Sequence, residues 1–315
     1  MNDHNETTSD KKEGRNSIYL VPLDGSPMAE SALPAVEFLA LHTGAKVILL
    51  HIIEENPPVS IHGEHHLTTA AEAEEYFKRI VSHLRELQIT TDVHVHTAAE
   101  GNVARSIIEH AGEINPDLVI MCTHGSGGFK GFLFGSIAQQ VLQRGRWPIL
   151  LMPPVISGDK PLFKLRRILV PLDDIHHHQP AFELTLTIAR AVKAEVHLAL
   201  VIPNLTNLAG ERGLTGKLLP RTTRAVLDLA AENAEDFLTD MVNKYKNEDF
   251  IIRAESLRGD TVPEVLELAE RIEADLISIT SHGRTGVNAF LSGSVGPRIV
   301  GRSKCAILIV RAGTE

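Results

Sequence analysis

The 315-residue chain repeats itself once, and this repeat limits its possible folds more than any other feature. Residues 18–24 read IYLVPLD and residues 168–173 read ILVPLD. INPDLVIMCTHG (114–125) matches IEADLISITSHG (272–283), and GSIAQQVL (135–142) matches GSVGPRIV (293–300). Asp24 pairs with Asp173 at an offset of 149 and Gly125 with Gly283 at 158, so the second copy carries a net nine extra residues. The segment 203–220 (PNLTNLAGERGLTGKLLP), rich in turn formers, is where they are expected. Two occurrences at this period mean a duplicated domain and not a solenoid.

Within each copy the hydrophobic period alternates. Apolar runs at 18–23, 46–53, 117–122 and 149–152 read as buried strands, and the alternating 91–97 (TDVHVHT) as a strand with one wetter face. Between them, 28–42, 68–88, 102–114 and 136–145 have helical spacing, with Pro27 near the first start and Asn115–Pro116 as the third stop. The second copy follows the same order, with strands near 168–172, 195–201, 250–257, 275–280 and 305–310. Alternating strands and helices imply parallel sheets covered on both faces, a doubly wound α/β (Rossmann-like) class. The domains are expected at 17–152 and 167–312, joined by a linker at 153–166, with 1–16 a polar, disordered tail and not a signal peptide.

Composition narrows the function. Lys+Arg total 31 against 40 Asp+Glu, a formal charge of −9, which argues against a general nucleic-acid binder. Two cysteines, Cys122 and Cys305, are too few for a disulfide framework and read as buried thiols in a reducing compartment. No stretch approaches a membrane span, so a cytoplasmic location without membrane partners is expected.

In open parallel sheets, ligands sit beyond the carboxyl ends of the strands where strand order reverses. Asp24-Gly25-Ser26 closes the first strand and Ile52 lies at the end of the second. After the fourth come His124 and Gly125, then Gly127, Gly128, Lys130 and Gly131, before Gly135–Ser136 opens a helix. A glycine-rich turn running into a helix N-terminus suits an anion, because backbone N–H groups converge there and the helix dipole favours negative charge. Lys130 adds a cation and Ser136 a cap or a hydroxyl donor. A carboxylate such as Asp24 suits a ribose hydroxyl or an amino group. The second copy keeps the spacing: His282-Gly283, nine residues, Gly293–Ser294.

The pattern G-x2-G-x9-G-(S/T) after a VPLD-type first strand resembles the ATP-binding branch of the universal stress proteins, twice over, across nearly the whole chain beyond residue 16. The resemblance implies that Asp24 and Asp173 contact the adenosine portion, and that Ile52 and Val201 hold adenine through their backbone. It implies phosphate contacts from Gly125, Gly135 and Ser136, followed by Ile137, in the first copy, and from Gly283, Gly293 and Ser294, followed by Val295, in the second; the loop's own residues add Gly128 and the cations Lys130 and Arg284 to the binding set. The implied ligand is ATP, with or without Mg²⁺. Each domain is expected to be a five-stranded parallel sheet of order 3-2-1-4-5, with the two last strands pairing across the domain interface. The tandem chain would thus imitate a homodimer of single domains, and a further homodimer and a protein partner are also expected.

The copies depart from the pattern unequally. Its first glycine is Cys122 in one copy and Thr280 in the other, Gly25–Ser26 becomes Asp174–Ile175, and Lys130 becomes Asn288. The first site is therefore expected to be the fuller one. No Walker P-loop, G-x-S-x-G or kinase signature occurs, so at most a weak ATPase is expected. A slow hydrolase or phosphotransfer enzyme and a nucleotide-free scaffold stand as alternatives. The histidine runs His176–His178 and His62, His65, His66 lack the spaced ligand set of a closed zinc site and read as solvated loops. No residue is assigned a catalytic or metal-binding role.

Overall fold

The computed structural model describes residues 17–55, 60–61, 64–65, 67–99, 102–123, 135–155, 162–172, 180–208, 218–281 and 295–311. The first half runs β1 (Ile18–Pro22), a 3-10 turn (Ala29–Ala32), α1 (Leu33–Thr43), β2 (Lys46–Glu54), β3 (Ser60–Ile61), β4 (Glu64–His65), α2 (Ala70–Glu86), β5 (Thr91–Ala98), α3 (Val103–Ile114), β6 (Leu118–Cys122), α4 (Ser136–Arg144) and β7 (Ile149–Met152). The second runs β8 (Arg167–Leu172), α5 (Pro180–Val192), β9 (Glu195–Ile202), α6 (Pro220–Lys244), β10 (Ile252–Arg258), α7 (Thr261–Arg271), β11 (Leu276–Ser281), α8 (Val295–Val300) and β12 (Ala306–Arg311).

All the main strands join one ten-stranded sheet of order β10-β9-β8-β11-β12-β7-β6-β1-β2-β5. Each half supplies five parallel strands in the order 3-2-1-4-5. β7 and β12 pair antiparallel, from Ile149↔Ile309 to Leu151↔Ile307, which removes two apolar edges at once. The outer edges of the sheet are β5 and β10.

The sheet buries both faces, which is why its strands read as continuous apolar runs. On β2, Val47 and Leu49 pack with Val36 and Leu39 of α1 and Phe77 and Ile80 of α2. Ile48, Leu50 and Ile52 pack on the other side with Ala104 and Ile107 of α3 and Val141 of α4. Both layers run on into the second half, through Ile168, Leu186 and Leu238 on one face and Leu169, Val265 and Ile299 on the other.

Two details depart from the sequence reading. The helix expected from residue 28 opens as a 3-10 turn before α1. The added length of the second half lies chiefly in its long helix: α6 has 25 residues against 17 for α2. Lengthening a helix adds intrahelical hydrogen bonds with each turn, whereas lengthening a loop adds only ordering cost. Asn115 ends α3 in the left-handed conformation at φ 47°, and its side chain accepts from the Trp147 indole at 3.1 Å.

Candidate functional site

The carboxyl ends of the first half's strands are uneven. β1 pairs with β2 as far as Pro22↔Leu50, and the Leu23 N–H then donates to the Leu50 carbonyl at 2.9 Å. β2 continues to Glu54, so Ile52 lies two residues short of its end rather than at it. In a parallel ladder alternate residues direct their backbone groups to the same neighbour. The N–H and C=O of Ile52 therefore point, like those of Leu50, to the side on which β1 has just ended. Its side chain is core, 5% exposed, so what Ile52 offers at this edge is backbone.

Asp24 sits where β1 gives way to a turn. Its Oδ1 accepts from the Ser26 N–H at 2.9 Å and the Ser26 hydroxyl at 2.6 Å, and Ser26 Oγ in turn accepts from the Ala29 N–H at 3.1 Å. The carboxylate thus organises the turn that starts the 3-10 segment. Gly25 takes φ 87°, and a Cβ there would stand 2.7 Å from Leu67 Cγ, so both conformation and space select glycine.

Gly135 is the N-cap of α4. Its N–H donates to the Thr123 carbonyl at 2.6 Å, while the Thr123 N–H donates to Met152, tying the ends of β6 and β7 to the start of this helix. Ser136 is exposed and Ile137 half-buried, and both lie in the first turn, whose N–H groups have no intrahelical acceptor. β1 stands between β2 and β6 in the sheet, so Asp24, the Ile52 backbone and Gly135–Ile137 share the carboxyl edge at the point where strand order reverses.

In the second half, Val201 occupies β9 opposite Leu257 and Val295 opens α8. Thr280, at the pattern's first glycine, accepts from the Ala181 N–H at 3.3 Å, so its hydroxyl caps the start of α5. Gly125, Gly128, Lys130, Asp173, Gly283, Arg284, Gly293 and Ser294 lie outside the described residues, as do His176–His178, His62 and His66. Cys122 is buried at the end of β6. Burial pushes the Cys305 thiol up, which disfavours the reactive thiolate and outweighs the opposite pull of Ser303 Oγ, 3.3 Å from its sulfur.

Two contributions near Asp24 were not anticipated. His51, 1% exposed, donates from Nδ1 to the Leu23 carbonyl at 2.8 Å and so clamps the end of β1 to β2. Its signal was visible, since it is the one polar residue between Val47 and Ile53. The second is Glu30, 7% exposed in the 3-10 turn, which accepts from Arg79 of α2 at 2.8 Å and holds that helix over the turn. Tyr76 lies alongside, and its phenol is pushed far up by burial and then by the Glu30 and Asp24 carboxylates.

At the far end of α4, Arg311 of β12 donates to the Leu142 carbonyl at 3.3 Å and also to Gln143. A residue of the second half therefore satisfies the C-terminal carbonyls of the first half's helix, with the charge its dipole favours. Among the described residues no helix is long and apolar enough to cross a membrane.

Known proteins agree with this architecture. Universal stress protein MJ0531 of Methanocaldococcus jannaschii is 26% identical over 163 residues, covering 51% of this chain and 89% of its own. Universal stress protein YxiE of Bacillus subtilis is 29% identical over 142 residues, covering 42% of this chain and 96% of its own. Among solved structures, a universal stress protein from Archaeoglobus fulgidus superposes with TM-score 0.62 at 18% identity, over 94% of this chain and 98% of that one. A putative universal stress protein from Pseudomonas aeruginosa reaches 0.65 at 14% identity, over 94% and 93%. These two matches span both halves, and at such identities they bear on the fold alone. The model of the Universal stress protein family matches twice, at residues 17–153 and 164–311, so the chain belongs to that family as two copies in tandem.

Proposed function

We propose that the first half binds ATP, with or without Mg²⁺, at the carboxyl edge between β1 and β6, and that occupancy regulates the protein's conformation or its choice of protein partner. The observation that carries this reading is the meeting of three complementary groups at one switch point. The outward-facing backbone of Ile52 offers a donor and an acceptor to the adenine edge. Asp24 spends Oδ1 on its own turn, leaving Oδ2 for a ribose hydroxyl. The first turn of α4 offers N–H groups and a positive dipole end to phosphate. Gly125, Gly128 and Lys130 complete the phosphate side by their place in the sequence.

The second half repeats the proposal with Asp173, Val201, Gly283, Arg284, Gly293, Ser294 and Val295, as a weaker site lacking the Asp-Gly-Ser turn. The regulatory reading draws on α4, whose N-terminus faces the proposed phosphates and whose C-terminus is held by Arg311 of the other half. A change in how α4 sits is thereby felt at the β7–β12 junction.

Calorimetric titration of the full chain with ATP tests the assignment. Gly135→Val and Asp24→Ala are each expected to weaken binding roughly tenfold or more, about 1.4 kcal/mol. Asp24→Asn keeps an oxygen for the turn and separates a loss of ligand contact from a loss of local structure. Unchanged affinity in both Gly135→Val and Asp24→Ala would sink the assignment. Multiple turnover of ATP at about 1 s⁻¹ or faster would make the protein an enzyme rather than a regulator.

A further inference from the structure

Three histidines of the first half come together at the outer edge of the sheet, on β5, two strands out from β1, and on α3. His94 and His96 lie two apart on β5 and share the face that carries Ala98 onto α3. His110 projects from α3 between them: its ring centroid is 4.8 Å from that of His94 and 4.5 Å from that of His96. One ligand nitrogen from each ring lies within 4.8 Å of the others. His110 is 7% exposed, His94 half-buried and His96 exposed, so the cluster opens to solvent on one side.

The hydrogen bonds set the proton positions. His110 Nδ1 faces the Glu113 carboxylate at 3.2 Å and so carries its proton. That leaves a lone pair on His110 Nε2, to which His94 Nδ1–H donates at 2.7 Å; a metal would take the place of that proton, with His94 carrying its N–H on Nε2 instead. Imidazoles converging on one point, one of them backed by a carboxylate, form the donor set and outer partner of a transition-metal centre. A tetrahedral zinc site places ligand nitrogens about 3.3 Å apart, given zinc–nitrogen bonds of about 2.0–2.1 Å. The 2.7 Å pair would open slightly and the third ring would close in.

The second half shows that the fold does not need these histidines. Pairing Ile52↔His96 and Val201↔Leu257 aligns the two edges, and Asp117 aligns with Asp275, each accepting from the first N–H of its half's central strand. On that alignment His96 corresponds to Leu257, His110 to Leu268, His94 to Glu255 and Glu113 to Arg271. There Leu268 is 1% exposed, Leu257 packs on the same core, and Glu255 pairs with Arg271 at 2.9 Å. An apolar contact and an ordinary ion pair thus suffice to join helix and edge strand. Three imidazoles that face one another without a metal are a poorer solution to the same packing problem.

We propose that His94, His96 and His110 bind one divalent transition-metal ion, with zinc the best fit, and that Glu113 orients His110 from outside. Three nitrogen ligands leave a fourth position for water or a small anion on the open side.

Zn²⁺ titrated calorimetrically into the chelator-stripped full chain is expected to fill one site per chain. His96→Leu with His110→Leu, which copies the second half, is expected to keep the thermal melt and to weaken that site by on the order of 100-fold or more. Glu113→Gln is expected to cost roughly 10–100-fold. Should the double variant fail to fold, His96→Leu alone, at the exposed position, carries the test. Co²⁺ in place of Zn²⁺ is expected to give visible bands of tetrahedral nitrogen coordination that vanish in the variant. Absence of Zn²⁺ binding overturns the proposal. So does an unchanged titration of the variant, or binding lost only when His62, His65 and His66 or His176–His178 are replaced by alanine.

Discussion

At the outer edge of the first half, Lys46 of β2 meets Asp92 of β5 at 2.5 Å; at the matching edge of the second, Glu195 of β9 meets Arg253 of β10. The four residues are structural counterparts with their signs exchanged. A position-by-position comparison scores two radical substitutions, yet the edge keeps one cross-strand ion pair in both halves. What the duplication preserved is the interaction, because neighbouring strands need complementary charge and not a particular residue.

Other positions diverged in kind. His51 clamps the end of β1 through the Leu23 carbonyl, and its counterpart by sequence offset is the buried Leu200. Gly25, whose φ and surroundings admit glycine, has Asp174 as its counterpart in the sequence. The His94–His96–His110 cluster has Glu255, Leu257 and Leu268. The first and third of these differences put polar side chains in the first half where the second half has mostly leucine, and the second gives the first half a turn that only glycine fits.

The comparison can be broken or sharpened by substituting the residues that differ between halves and measuring urea denaturation of the full chain. Gly25→Ala is expected to have the largest effect, destabilising by roughly 2–4 kcal/mol, because it adds left-handed strain to a collision with Leu67. A loss below about 0.5 kcal/mol would mean that the turn relaxes freely and that glycine is not required there. His51→Leu, the second half's choice, is expected to cost about 1–3 kcal/mol by stripping the Leu23 carbonyl of its side-chain donor. The same variant should weaken ATP binding in the first half, and calorimetry showing full affinity would remove His51 from the site.

Smaller effects follow. Gly44 and Lys193 hold the same post-helical position at φ 67° and φ 56°. Lys193→Gly is expected to stabilise by about 0.5–1 kcal/mol, since a side chain pays for the left-handed region where glycine does not. Least of all, Lys46→Glu should cost about 0.2–1 kcal/mol, and adding Asp92→Arg should recover it. A double-mutant cycle with no coupling would show that the exchanged signs are coincidental.

Much of this architecture could be read from the residues. The repeat, the apolar runs and the Asn115–Pro116 stop are local signals, and period and turn chemistry translate them directly into strands, helices and a parallel sheet. Asp24 and Gly135 were legible because both copies keep them in register. The place of Ile52 was less so: its run of apolar residues marks a strand, but that β1 ends opposite Leu50 while β2 continues is a property of the pair.

The histidines mark the boundary most clearly. Alternation in TDVHVHT places His94 and His96 on one face of a strand, and helical spacing places His110 on a helix. Each is a local statement. That this face meets that helix at 2.7 Å, with Glu113 behind, depends on the crossover from β5 to α3 and the packing of Ile107 and Ala111 beneath. By itself the sequence determined two copies of one α/β domain and the register of their glycine loops, because these rest on period, turn chemistry and repetition. Only the tertiary structure decided that Arg311 grips α4 from the other half and that three scattered histidines share one point. Contacts between residues distant along the chain leave no periodic trace in it.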